Sequence, residues 1–461
     1  MIKHFFTNSF GILFSRILGF IRDLLTASAL GASLWSDIFF VAFKLPNLFR
    51  RLFGEGAFTQ AFLPGFVNAR KKGVFAASVL IKFTLFITFL TLFVSFFAPF
   101  FTHLLALGFD ENTINLAVPY VRINFWYLFF IFIVTLFASL LQYKDHFATT
   151  AFSTALLNLS MIFALILARQ KDSETTVFYL SIGVVIGGFL QVLVHIFALK
   201  FIGIWRILIG GFKKLFKGEN PQTKGFYKNF YYGVLGSSSA QIGAFIDTWF
   251  ASFLAFGSIS YLYYANRLFQ LPLALFSIAL TSAIFPKISR EIKNKNEISA
   301  FNLLSRGFHI LLFLLSFSAI VMVILDEQIV RILFEHGAFS AQNTRECALV
   351  LAMFAIGLLP FGLAKLFSLW LYAKMRQNIA AKIAIKSLIL NLIACLALIN
   401  HLGAAGLALA SSISGIYLLY ANLKEFGFNN FLAIIAPKKI LLIALICAIE
   451  TAILLLIKGF L

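Results

Sequence analysis

Long runs of apolar residues alternate along this chain with short polar gaps, and most runs reach the roughly twenty residues that a helix needs to cross a bilayer. Read with soft edges, they predict spans near 5–30, 35–64, 75–107, 114–142, 148–169, 175–203, 229–256, 258–286, 302–334, 346–375, 379–400, 403–424 and 438–460. That is about thirteen helices by a window criterion. The gaps differ in charge. "NARKKG", the stretch holding Lys213, Lys214, Lys217, Lys224 and Lys228, "KISREIKNK", "KMRQ" and "APKK" are basic, whereas "GFDENT", "FGSIS" and "NHLG" carry no Lys or Arg. Basic loops stay in the cytoplasm, so the N-terminus is expected there too. "MIKH" followed by Ala27-Ser28-Ala29 has the outline of a signal peptide, but Arg16, Arg22 and Asp23 interrupt its apolar region, so a retained first span is expected. Residues 204–218, "IWRILIGGFKKLFKG", mix large apolar and basic side chains; a helix lying in the cytoplasmic interface and a plain basic linker both fit.

Several spans carry residues that lipid would reject. In the first, Asn8/Ser9, Ser15/Arg16 and Arg22/Asp23 recur every seven residues, close to two helical turns, and so form one polar stripe. In the second, Asp37, Lys44 and Arg51 share that spacing and Glu55 follows, while Pro46, Gly54 and Gly56 are expected to bend or break the helix. The seventh adds "GSSSAQ" and Asp247, the eighth Asn266, Arg267 and Gln270 before Pro272, and the eleventh Lys386, Ser387 and Asn391. A charge at mid-membrane costs roughly 3 kcal/mol, so this set implies a polar cavity. Its balance is basic: Arg16, Arg22, Lys44, Arg50, Arg51 and Arg267 outnumber Asp23, Asp37, Glu55 and Asp247. Guanidinium groups suit phosphate or carboxylate, so an anionic substrate is expected.

Composition agrees with a polytopic membrane protein: 461 residues, 61% hydrophobic, 12% charged, with a mean hydropathy of +0.93. The net charge of +20 sits in the gaps between spans, which favours membrane topology over nucleic-acid binding. Cys347, Cys395 and Cys447 are too dispersed for a disulfide framework or metal site. The chain also repeats itself. "DLLTASAL" from Asp23 matches "DTWFASFL" from Asp247, and Ser36, Thr59, Ala61 and Pro64 then align with Ser258, Thr281, Ala283 and Pro286. An even number of spans separates the copies, so the halves share one orientation, as in transporters whose repeats are related by an axis along the membrane normal.

"FSRILGFIRD", "SDIFFVAFKLPNLFRRLFGEGAFTQAFLP", "FASFLAFGSISYLYYANRLFQLP" and "LFEHGAFS" together resemble the MurJ (MviN) family of lipid II flippases, within the multidrug/oligosaccharidyl-lipid/polysaccharide exporter superfamily. The resemblance covers essentially the whole chain. It implies an all-α fold of two six-helix lobes about a V-shaped cavity, with residues 1–203 and 229–424 as the lobes, 204–228 as a cytoplasmic linker and 425–461 as an extra helix. About fourteen spans are usual, the last two forming a groove for the lipid tail, against about thirteen read here. It also implies alternating access in the bacterial inner membrane, carrying undecaprenyl-pyrophosphate-linked muropeptide to the periplasmic leaflet. Carried over by motif, the substrate-binding positions are Arg16, Arg22, Asp37, Arg50, Glu55, Asn266 and Arg267, with Asn266 standing where an acid is common. Asp247 and Asn391 match a sodium site of some members; no other cofactor is implied, and a monomer surrounded by membrane lipid is expected. The alternative is another exporter of lipid-linked oligosaccharide or drugs in the same superfamily. A cation-drug exporter would favour acidic residues, and a glycosyltransferase would need a carboxylate or metal constellation that is not evident.

Overall fold

The computed structural model describes residues 2–50, 57–221 and 223–460, with side chains at all of these except 2–9, 57, 224 and 235–244. Among the described residues every regular element is a helix. The chain divides between Phe256 and Gly257 into two compact units.

The first unit holds α1 (Ile2–Leu30), α2 (Leu34–Phe49), α3 (Ala57–Asn68), α4 (Lys72–Phe96), α5 (Ala98–Leu105), α6 (Glu111–Gln142), α7 (Ala148–Leu167), α8 (Ser173–Phe201), α9 (Ile204–Phe216) and α10 (Lys224–Ala251). Helices already in lipid gain little by hiding apolar area from water, so close packing and interhelical hydrogen bonds must hold them together. Both are present. A Cβ on Gly183 would meet that of Ala164 at 2.9 Å, and one on Gly188 would meet the Tyr127 ring at 2.8 Å, so α8 approaches α7 and α6 through bare backbone. Ser160 Oγ donates to the Gly183 carbonyl at 2.6 Å, Asn124 Nδ2 to Ser181 Oγ at 2.9 Å and Gln191 Nε2 to the Ser153 carbonyl at 3.0 Å. Phenylalanines fill the remaining space. The Phe58 ring of α3 meets the edges or faces of Phe83, Phe132 and Phe226 at 5.4–5.6 Å, joining α4, α6 and α10.

Residues 204–216 form a helix, α9, which docks on α4 through Ile204, Leu208 and Gly211, leaving Arg206, Lys213 and Lys214 exposed. Contact is backbone to backbone: a Cβ at Gly211 would lie 1.9 Å from the Gly73 carbonyl oxygen, whereas one at Gly210 meets nothing. Gly211→Ala should therefore loosen α9 by about 1–3 kcal/mol, seen as faster proteolysis around 204–223 and a lower melting temperature. Gly210→Ala should be neutral or slightly stabilising, because alanine is the better helix former.

The second unit contains α11 (Ser258–Pro272), a π turn (Leu273–Ile278), α12 (Ala279–Lys293), α13 (Glu297–Ile324), α14 (Asp326–Phe334), α15 (Ala341–Ile356), α16 (Leu358–Ala373), α17 (Gln377–Phe426), α18 (Phe428–Ile434) and α19 (Pro437–Phe460). Helix α19 is fastened at both ends. Ser305 Oγ donates to the Ile434 carbonyl, His309 Nε2 accepts from the Ala436 amide at 3.2 Å, and Lys458 lies 3.6 Å from Asp326.

Several spans read as single helices are segmented. The third breaks at Phe97 just before Pro99, the ninth at Leu325 and the tenth at Gly357 ahead of Pro360. The eighth is interrupted by the π turn that follows Pro272, whose ring cannot supply an amide hydrogen. Conversely, "NHLG" is no extended loop: helix α17 runs on until Gly403 reverses the chain at φ 55° and ψ −132°, a conformation open to glycine. In the second span, Pro46 lies inside α2, which continues to Phe49, and α3 begins at Ala57. The register that aligns Ser36 with Ser258 sets the π turn against Arg51–Gly56, which lie outside the described residues.

Among the described residues nine helical stretches are long and apolar enough to cross a membrane, counting α11–α12 and α15–α16 as continuous. Helices α1, α2 and α10 are not among them. Arg16, Arg22 and Asp23 lower the hydropathy of α1, α2 has 16 residues, and α10 opens on Lys224 and Lys228 and carries Asp247.

Candidate functional site

The polar stripe of α1 faces α7, and its two basic residues have different fates. Arg22 is 5% exposed and Asp23 1% exposed. Nε and Nη2 of Arg22 both donate to Asp23 Oδ1, at 3.0 and 2.6 Å, while Nη1 donates to Asn158 Oδ1 at 3.0 Å. Asn158 in turn donates through Nδ2 to the Ser15 carbonyl at 2.9 Å. A buried guanidinium needs both a counter-charge and acceptors for its remaining hydrogens, and this triad supplies them. Gly19 lets α1 close on Asn158, whose Nδ2 would be 3.4 Å from a Cβ there. Arg16, two turns earlier, is exposed, and Asn8 and Ser9 have side chains outside those described.

Helix α2 starts on a capping box in which the Ser33 side chain accepts from the Ser36 amide and the Ser33 amide donates to Ser36 Oγ at 2.8 Å. This fixes the first turn and buries Asp37, which is 2% exposed. At the other end Arg50 is half-buried, with Nε 3.4 Å from Asn47 Oδ1. Lys44 is half-buried between them. Glu55 and Arg51 lie outside the described residues.

In the second unit Arg267 is exposed on α11. Its Nη2 donates to the Tyr263 hydroxyl at 2.8 Å, and the guanidinium carbon sits 5.0 Å from that ring's centroid. Tyr263 is one turn away, so helix geometry alone sets this support, with a cation–π contribution. Asn266 Oδ1 accepts from Gln270 Nε2 on the same face. Asn391 is buried in α17, where Nδ2 donates to Ser411 Oγ at 3.3 Å and Ser387 Oγ donates to the Ser414 carbonyl at 2.9 Å. Both clip together the arms that meet at Gly403.

The structure thus brings Arg22, Asp23 and Asn158 into one cluster and sets Arg267 on Tyr263. Asp247 and Asn391 belong to different units. Among the described residues no three His, Cys, Asp or Glu side chains are grouped to hold a metal. Sequence reasoning missed Asn158, whose signal was a lone amide in the apolar run "LLNLSM", and Tyr263, whose signal was its place four residues before Arg267.

These features are set on a fold with known counterparts. The family model described as lipid II flippase MurJ matches residues 26–461. The chain belongs to the lipid II flippase MurJ family. A probable lipid II flippase MurJ of Helicobacter pylori strain J99 is 47% identical over 447 residues, covering 94% of this chain and 97% of the relative. Among solved structures, a lipid II flippase MurJ in an inward closed conformation superposes with a TM-score of 0.79 at 26% identity, covering 98% of this chain and 97% of the other. An inward-facing multidrug resistance MATE family transporter of the MOP superfamily superposes at 0.69 with 13% identity, covering 91% and 94%, and shares the fold alone. MurJ membership together with the apolar helices makes this a multi-pass protein of the bacterial inner membrane.

Proposed function

We propose that this chain carries lipid II from the cytoplasmic to the periplasmic leaflet for peptidoglycan synthesis, its N-terminus in the cytoplasm. The observation that carries the reading is the MurJ match over residues 26–461, which includes Asp37, Arg50, Asn266 and Arg267. The geometry supports a division of labour among the basic residues. Arg16 and Arg267 are exposed and can reach a pyrophosphate with parallel N–H donors. Arg22, engaged with Asp23 and Asn158, holds the α1–α7 contact and so supports the site from behind. Arg50, Glu55 and Asn266 complete the head-group contacts and Asp37, buried in the first turn of α2, supports them from within the fold, while the polyprenyl tail stays in lipid. Binding neutralises the basic residues and favours closure on the cytoplasmic side, completing one half of an alternating-access cycle.

Resetting the empty carrier falls to the membrane potential, worth roughly 2.3 kcal/mol per charge per 100 mV, or to sodium. Oxygen donors suit sodium, and Asp247 Oδ1 is buried without a hydrogen-bond partner among the described residues. Asp247 in the first unit is the candidate ligand for such an ion, and Asn391 in the second is the other motif-matched candidate.

The test is substrate choice by the purified chain in vesicles. Lipid II in the inner leaflet should become accessible to an externally added cleaving enzyme much faster than in protein-free vesicles. A lipid-linked teichoic acid precursor and a cationic drug should move no faster than background. Preferred movement of either would instead make the chain another exporter of the superfamily.

A further inference from the structure

Helix α16 carries a lysine that neither the polar stripes nor the repeat pointed to. Lys365 stands alone in the middle of "LLPFGLAKLFSLWLYA", within a stretch otherwise apolar enough to cross a membrane. It is half-buried, and among the described residues it has neither a carboxylate nor a side-chain hydrogen-bond partner. An unpaired ammonium within a membrane-spanning stretch is costly, which makes its presence informative.

The rotation of α16 is fixed. Leu363, Leu366, Phe367 and Trp370 are buried against the rest of the unit. Gly362 is pressed on Leu315, where a Cβ would come within 2.1 Å, and its carbonyl accepts from Ser277 Oγ of the π turn at 2.9 Å. Lys365 therefore cannot turn inward. It falls on the partly open stripe Phe361, Lys365, Ser368 and Tyr372, spaced so that each lies one turn from the next. Phe361 marks where that stripe lies: its ring meets Phe269 of α11 at 6.0 Å and lies against Gly415 of α17. The same α11 presents Arg267 two residues before Phe269. Helix α16 thus runs beside the π turn below Arg267, with Lys365 on the order of 15 Å further along, toward the basic end at Lys374 and Arg376.

We propose that Lys365 is a second anion-contacting residue of this unit, meeting a phosphate or carboxylate of the lipid-linked head group at a level nearer the Lys374 end than Arg267. This rests on the reading of the chain as a lipid II flippase. Arg267 is the basic residue that the sequence singled out in this unit, and Lys365 supplies a further charge from a different helix.

The test uses the full chain in lipid II vesicles. Lys365→Met should slow exposure of lipid II about ten- to a hundredfold, the loss expected for one charge-assisted hydrogen bond, while Lys365→Arg should stay within about threefold of wild type. Because a variant can fail for want of folding, Lys365→Cys is made in a chain whose Cys347, Cys395 and Cys447 are alanine. Activity is then read on the same preparation before and after aminoethyl methanethiosulfonate restores the positive charge. Recovery supports the assignment; a labelled thiol without recovery, or a thiol closed to water-borne reagent, overturns it. Competition by undecaprenyl pyrophosphate that weakens in Lys365→Met assigns the contact to the pyrophosphate, and unchanged competition assigns it to the peptide stem. Wild type that moves lipid II while Lys365→Met matches it refutes the inference and leaves the function standing, whereas wild type that moves none refutes the function itself.

Discussion

Arg22→Ala is expected to lower stability by about 3–5 kcal/mol, because it strands Asp23, 1% exposed, without its counter-charge and removes a donor from Asn158. Protein levels in the membrane should fall with it, and rescue of a flippase-depleted strain should be lost. The loss alone would not separate folding from transport. Arg22→Met combined with Asp23→Leu does so, since replacing both members of a buried pair by apolar groups removes the stranded charge along with the pair. This double variant should regain most of the thermal stability and still fail to transport, because the Arg22 guanidinium is gone although the net charge is unchanged. Transport by the double variant would show that Arg22 is needed only for packing.

Arg267→Ala should behave in the opposite way. Its guanidinium is exposed and leans on Tyr263, an arrangement worth at most about 1 kcal/mol to the fold. Melting temperature and membrane levels should therefore stay close to wild type while lipid II exposure falls by about a hundredfold or more, as expected when a bidentate anion contact is removed. Arg267→Lys keeps the charge but not the planar fork, and should recover only part of the rate. Tyr263→Phe removes the hydroxyl that orients Nη2 and should lie between wild type and Arg267→Lys.

Much of the architecture was legible because apolar runs of membrane length leave few alternatives to helix. Residues 204–216 fitted both a helix and a basic linker in the sequence, and the structure forms the helix, with large apolar residues interleaved with Arg206, Lys213 and Lys214. Breaks within the runs were harder to read. A hydropathy window averages over Phe97, Leu325 and Gly357, and the helix is interrupted there without a change in polarity. It also took "NHLG" for a loop, although a single glycine is enough to turn the chain.

The site shows a similar limit. Arg267 stood out as a charge within an apolar span, and internal repetition located Asp247, because it preserves polar residues against an apolar background. It could not show that Arg22 is satisfied by Asn158, 136 residues away, since partners across helices leave no spacing in the sequence. Nor could it single out Lys365, whose significance rests on the rotation of α16 set by Gly362 and Ser277.

We propose that this chain moves lipid II across the inner membrane by means of its exposed basic residues. This activity is tested most directly in cells depleted of their resident flippase and supplied with this chain, by measuring the fraction of lipid II open to an enzyme that cleaves it only at the periplasmic face. We expect that fraction to return to the level of undepleted cells with wild type and to stay at the depleted level with Arg267→Ala at equal protein abundance. A wild-type chain, present in the membrane at normal levels, that leaves lipid II inaccessible would contradict the account.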